Sequence, residues 1–149
     1  MPNTPCAIGQ GVILCAPNAH VTAGDTAEFR TLMAGAGLID ELPEKLIDAA
    51  GTLTGCGPAF AYLFAEALAD GGVACGLPRA KAQTYAAAML RGSAAMVLET
   101  GKHPGELKDA VCSPGGTTIE GVAALERNGF RSAAIEAVRA SFGKTAKLG

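Results

Sequence analysis

Pro58-Ala59-Phe60-Ala61-Tyr62-Leu63-Phe64-Ala65-Glu66-Ala67-Leu68-Ala69-Asp70 is the stretch on which the fold turns. Proline is well placed in the first turn of a helix, where its missing N–H has no intrahelical acceptor to serve and its φ is already helical. Gly71-Gly72 follows as a stop. Ala59, Phe60, Tyr62, Leu63, Phe64, Ala67 and Leu68 leave almost no polar face, and a helix of that kind is buried on every side. Burial on all sides is hard to achieve within one subunit of this size, which points to a homodimer whose helices interleave. A monomeric bundle with this helix at its centre satisfies the same pattern.

Everything from Leu46 onward reads as helix. Pro78 opens a helix through Ala86, Met89, Leu90, Met96 and Leu98 to a stop at Gly101. Pro104 starts a short one with Leu107 and Val111. A third carries Ile119, Val122, Ala123 and Leu125 and ends at Asn128-Gly129, and a last one carries Ala133, Ile135, Val138 and Phe142. The first 42 residues differ. Gly11 to Ala16 reads as a buried strand ended by Pro17-Asn18. Ala23 to about Ala36 reads as a helix, with Asp25 or Thr26 near its cap and Phe29, Leu32 and Met33 on one face. Leu38 to Leu42 reads as a second strand. This is one strand–helix–strand unit, too little to cover both faces of its own sheet. The expected fold is therefore mainly α: residues 1–42 as the end of a larger α/β domain, and 43–149 as an all-helical domain.

Composition narrows the function. The chain has 149 residues, a net charge of −2 and 49% hydrophobic residues. No basic stripe is available to neutralise phosphates, so nucleic acid is not an expected partner. No apolar run is long enough for a membrane helix, and Met1-Pro2-Asn3-Thr4-Pro5 lacks the basic start of a signal peptide. The five cysteines are widely spaced without a Cys-x-x-Cys, which predicts reduced thiols in the cytoplasm rather than disulfides or zinc. His20 and His103 lack metal-ligand spacing, so no metal is expected, and His103 before Pro104 reads as a helix-start residue. Gly9-Gln10-Gly11 has no third glycine at the right spacing and precedes a strand, so it is not a dinucleotide fingerprint.

The stretch with most chemistry in it is Ser113-Pro114-Gly115-Gly116-Thr117-Thr118. Its glycines let a bound group approach the backbone, and the following helix points unpaired N–H groups outward. With two hydroxyls beside them, these suit a carboxylate or phosphate. The plainer reading is a capping box, for which Thr117 and Glu120 have the spacing, and the stretch in isolation favours it. Cys112 lies just before the turn, where a helix N-terminus lowers a thiol pKa, but no His or Asp partner can be placed beside it. Lys108 and Asp109 read as a local pair. Glu44 reads either as a carboxylate in the first turn of a helix or as one lining a crevice between domains.

Asp109-Ala110-Val111-Cys112-Ser113-Pro114-Gly115-Gly116-Thr117-Thr118-Ile119 resembles the signature of the pyrroline-5-carboxylate reductases. Met1-Pro2-Asn3-Thr4-Pro5, Thr54-Gly55-Cys56-Gly57-Pro58-Ala59-Phe60, Asp70-Gly71-Gly72-Val73, Gly76-Leu77-Pro78-Arg79, His103 to Asp109 and Gly129-Phe130-Arg131 extend the resemblance along the whole chain. It implies an NADPH- or NADH-dependent oxidoreductase of proline biosynthesis, reducing 1-pyrroline-5-carboxylate to L-proline. It further implies an N-terminal Rossmann domain, an intertwined helical dimerisation domain, and dimers that assemble into a ring of five. By resemblance, Ser113, Gly115, Gly116, Thr117 and Thr118 bind the substrate, the backbone N–H groups of Gly115, Gly116 and Thr117 holding its carboxylate. Thr118 also sits at the ring nitrogen as the catalytic group, Glu44 lies at the substrate end of the pocket, and Asn3 meets the cofactor. Ala110 stands where the family often has Asn or Gln reaching the cofactor, Cys56 where serine is common, and Gly101 where some members have Glu. The phosphate-binding glycines have no counterpart here, so the chain by itself is expected to be inactive. The alternative is a dimerisation module without catalytic use.

Overall fold

The apolar run Gly11–Cys15 forms strand β1, and Gly37–Glu41 forms β2 parallel to it, with Ile13 opposite Ile39. The computed structural model to which they belong describes residues 1–145 and 147. Met1–Asn3 lies antiparallel along the other side of β1. There the Leu14 N–H donates to the Met1 carbonyl at 2.9 Å and the Asn3 N–H to the Val12 carbonyl at 3.2 Å. Ile13 and Leu14, on opposite faces of β1, are both buried.

Glycine decides how closely these segments meet. Gly37 has φ 133° and ψ −150°, a conformation essentially reserved for glycine, and a Cβ on it would overlap the backbone of Gly11. A Cβ on Gly11 would in turn overlap the Cys6 sulfur. Gly9 and Gly11 thus serve packing, consistent with their failure as a dinucleotide fingerprint.

Helix α1 spans Ala23–Met33, and Ala34–Ala36 tightens into a 3₁₀ turn. Its cap is Thr22, not Asp25 or Thr26. Thr22 is extended, its hydroxyl accepts from the Asp25 N–H at 3.2 Å, and the Asp25 carboxylate accepts from the Thr22 N–H at 2.8 Å. The reciprocal pair needs a hydroxyl three residues before the carboxylate, which Thr22 supplies. Phe29, Leu32 and Met33, expected on one face, are not buried.

The helical part begins ahead of Pro58, near Leu46 as expected. A 3₁₀ turn at Glu44–Leu46 leads into α2, Ile47–Gly51, then a π-helical turn at Thr52–Cys56, then α3, Gly57–Ala74. Pro58 has no N–H to offer the carbonyl four residues before it, that of Thr54. Asn3 Nδ2 donates to that carbonyl at 3.0 Å. The wider turn lets the chain run on into α3 through the proline. Nor does α3 stop at Gly71-Gly72; it ends where Gly76 takes φ 98°. Gly72 lies inside α3, and a Cβ there would press within 3.3 Å of Ala82 and Leu77, so the glycine serves close packing rather than a stop.

Four further helices follow: α4, Arg79–Thr100; α5, Pro104–Ala110; α6, Thr117–Arg127; and α7, Phe130–Thr145. The mainly α fold expected from the sequence is the one observed. The chain divides into two compact units, Met1–Phe60 with Ile135–Gly149, and Ala61–Ala134. In the second unit Ala69, Ala82 and Ala86 form a buried cluster with Leu68 and Val73 against it, and the Phe64 and Phe130 rings lie 5.2 Å apart. Small side chains make this α3–α4 contact close. The larger apolar side chains are left uncovered within one chain: Tyr62 is 64% exposed, Leu63 67% and Leu98 79%.

Candidate functional site

The turn before α6 is built by its own residues. The chain leaves α5 tightly, with the Cys112 N–H donating to the Asp109 carbonyl at 3.0 Å. Ser113 to Gly116 then closes a β-turn in which the Gly116 N–H donates to the Ser113 carbonyl at 3.0 Å. Pro114 takes the second position and Gly115, with φ 66°, the third, the residue pattern of a type II turn. A Cβ on Gly116 would overlap the Ser113 hydroxyl, which would have to turn away, and would crowd the Ser113 carbonyl at 3.2 Å.

The capping-box reading of the threonines fails here. Gly116, with φ −78° and ψ 168°, is itself the N-cap, and no side chain caps α6. Thr117 is already the first helical residue, one position too late for its hydroxyl to fold back, and the box partner position falls on Ile119. The first-turn N–H groups therefore have neither an intrahelical nor a side-chain acceptor, and the helix dipole adds positive potential there. Thr117 and Thr118 are both exposed beside them. One of the expected backbone donors, Gly116, is already spent on the turn.

The surroundings of the turn are resolved into local pairs. His103 caps α5, its Nδ1 accepting from the Gly105 N–H at 3.0 Å, which makes it the helix-start residue the sequence suggested. Lys108 is ion-paired with Asp109, and that hydrogen bond pushes the lysine above its ordinary 10.5. Cys112 is half-buried. Among the described residues no three His, Cys, Asp or Glu side chains cluster as a metal site, and no helix is long and apolar enough to cross a membrane.

The remaining predicted residues lie in the other unit. Glu44 is exposed at the head of its 3₁₀ turn and lines a shallow cleft of about 310 Å³ with Pro17, Glu41, Leu42 and Pro43. A second, more apolar groove of about 330 Å³ lies at the carboxyl ends of β1 and β2, between Cys15, Val21, Phe29 and Ile39. Asn3 is committed to the fold at both ends of its amide: Nδ2 to Thr54, and Oδ1 accepting from the Val12 N–H at 2.9 Å and from the Cys6 thiol at 3.7 Å. Sequence reasoning did not find the π-helical turn. The spacing of Pro58 after Thr54 was its only signal.

The chain is 49% identical over 149 residues to a pyrroline-5-carboxylate reductase of Synechocystis, covering 100% of this chain and 56% of that protein. Against the enzyme of the same name from Escherichia coli it is 48% identical over 148 residues, covering 99% of this chain and 55% of that protein. The crystal structure of Plasmodium falciparum pyrroline carboxylate reductase with NADP bound superposes with a TM-score of 0.91 at 38% identity, covering 100% of this chain and 61% of that one. The chain thus spans a little over half the length of the relatives it matches. Residues 44–148 match the family model described as pyrroline-5-carboxylate reductase dimerisation, and the chain belongs to that family.

Proposed function

We propose that this chain is the substrate-binding and dimerising part of a pyrroline-5-carboxylate reductase, acting in proline biosynthesis in the cytoplasm. The observation that carries the reading is the uncapped N-terminus of α6 behind the Pro114-Gly115-Gly116 turn. It supports a carboxylate held by the N–H groups of Gly115 and Thr117 and the hydroxyls of Ser113 and Thr117, with Gly116 lending its turn rather than its donor. The Thr118 hydroxyl, one position on, orients the imine nitrogen and passes it a proton. Glu44 is carried over from the family resemblance as a further substrate-binding carboxylate. The uncovered faces of Tyr62, Leu63 and Leu98 support a homodimer, assembling further into a ring of five dimers. Residues 1–42 then close a nucleotide-binding domain and 43–149 form the helical one.

A bound NADPH or NADH supplies the hydride. The residues present do not fit its phosphates, because Gly9 and Gly11 are closed against Gly35 and Cys6. Asn3 meets the cofactor only with the single amide hydrogen that its protein partners leave over. Catalysis therefore needs a dinucleotide-binding half that residues 1–149 do not themselves supply. The test is reduction of 1-pyrroline-5-carboxylate with NADPH and NADH, by the chain alone and joined to that half from a relative. Activity of the joined protein and none from the chain alone is expected. A joined protein that binds dinucleotide yet reduces nothing would make this a non-catalytic dimerisation module.

A further inference from the structure

The outer edge of β2 has a guard, independent of the anion-binding turn. In a parallel pair, alternate residues turn both backbone groups toward the same neighbour. The Leu42 N–H donates to the Cys15 carbonyl at 3.0 Å, so Leu42, Asp40 and Leu38 face β1. The N–H and C=O groups of Gly37, Ile39 and Glu41 consequently face away from it. Among the described residues no strand lies on that side. An open edge of this kind templates another strand, and Leu38, 59% exposed, adds apolar surface beside it.

One side chain lies across the edge. Arg30, on α1, donates from Nη1 to the outward-facing Ile39 carbonyl at 3.1 Å. Its Nε and Nη2 donate to Glu41 Oε1 at 3.0 and 2.7 Å, so Glu41 braces the guanidinium where it sits. An exposed ion pair adds little stability by itself. Its placement does something else: it occupies an acceptor that an incoming strand needs and sets a charge over the edge.

We propose that Arg30, braced by Glu41, prevents the β2 edge from pairing with the same edge of a second copy of this chain. The edge is self-complementary. Two β2 strands run antiparallel about a twofold axis centred on Ile39 would bring Ile39 opposite Ile39, each offering the outward N–H and C=O that such a pair exchanges. With Arg30 bound to that carbonyl and its charge lying over the edge, the exchange is opposed.

The test compares Arg30→Ala and Arg30→Lys with the parent chain. Light scattering across a dilution series gives mass, and amide exchange by NMR reports Ile39. Arg30→Ala should reach about twice the parent's mass, with slowed exchange at Ile39. Arg30→Lys, which can still donate to the carbonyl, should keep the parent's mass. Adding Leu38→Lys to Arg30→Ala should restore it by placing a charge at the edge. Unchanged mass for Arg30→Ala overturns the proposal, and so does a raised mass without slowed exchange at Ile39, since association then uses another face. If Arg30→Ala does not fold, Glu41→Ala, which leaves the guanidinium unbraced, should show the same gain to a smaller degree. No gain there overturns the proposal equally.

Discussion

Asn3 Nδ2 meets the Thr54 carbonyl at 3.0 Å across 51 residues of sequence, at a carbonyl that Pro58 has no N–H to serve. The same amide accepts from the Val12 N–H. One side chain thus ties the N-terminal segment, β1 and the π-helical turn together. Asn3→Ala leaves a part-buried carbonyl and a part-buried N–H without partners. We expect a loss of about 2 kcal/mol in urea unfolding, with faster amide exchange in both Val12 and the 52–58 turn. Unchanged stability would remove Asn3 from this role.

Gly37→Ala should be the most damaging single methyl in the first unit. Its φ of 133° is strained for alanine, and the added Cβ would meet the Gly11 backbone, which cannot swing aside as a side chain can. The expected cost is about 3 kcal/mol or more, read as a lowered midpoint in thermal unfolding. Gly35→Ala, with nothing within 4 Å, is the control and should change little.

Thr118→Ala, made in the chain joined to a dinucleotide-binding half, should lower kcat by about 10²-fold, the scale of a lost proton-relay or orienting group. KM should move less, because the turn that holds the carboxylate is untouched. Gly116→Ala should do the reverse: its Cβ displaces the Ser113 hydroxyl and distorts the turn, so KM rises first.

Two exposed pairs set opposite pH responses. Hydrogen bonds from the Thr22 hydroxyl and N–H hold the Asp25 carboxyl below its ordinary 3.8. Its support for the start of α1 is fully present above pH 3.8 and is lost as pH falls through the lowered value. Lys108, raised above 10.5 by Asp109, supports α5 fully below 10.5 and loses that support as pH rises through the raised value. Asp25→Asn should flatten the acid limb of helicity followed by circular dichroism, and Asp109→Asn the alkaline limb.

Local chemistry was legible. Gly101 and Gly129 mark helix ends with φ of 65° and 72°, Pro104 starts α5, and the strand–helix–strand order was readable from its glycines and apolar runs. Boundaries set by distant partners were not. Gly71-Gly72 reads as a stop, yet both lie inside α3, where Gly72 lets Ala82 and Leu77 approach closely. Pro58 falls in the first turn of α3 as read, but the π-helical turn that joins it to α2, with Asn3 on the Thr54 carbonyl, was not legible. At the candidate site the sequence supplied the residues, while the choice between cap and open N-terminus waited on the backbone angles of Gly116.

The sequence by itself determined the strand–helix–strand order and the main helices, the turn at Ser113 to Thr118 and the family resemblance, because each rests on neighbouring residues and their intrinsic dihedral preferences. Only the tertiary structure decided that the threonines of that turn do not cap their own helix, that Asn3 serves Thr54, and that Arg30 lies over the Ile39 carbonyl. In those three cases the deciding fact is which donor reaches which acceptor. That depends on how the backbone brings the groups together, and residue spacing along the chain does not reveal it.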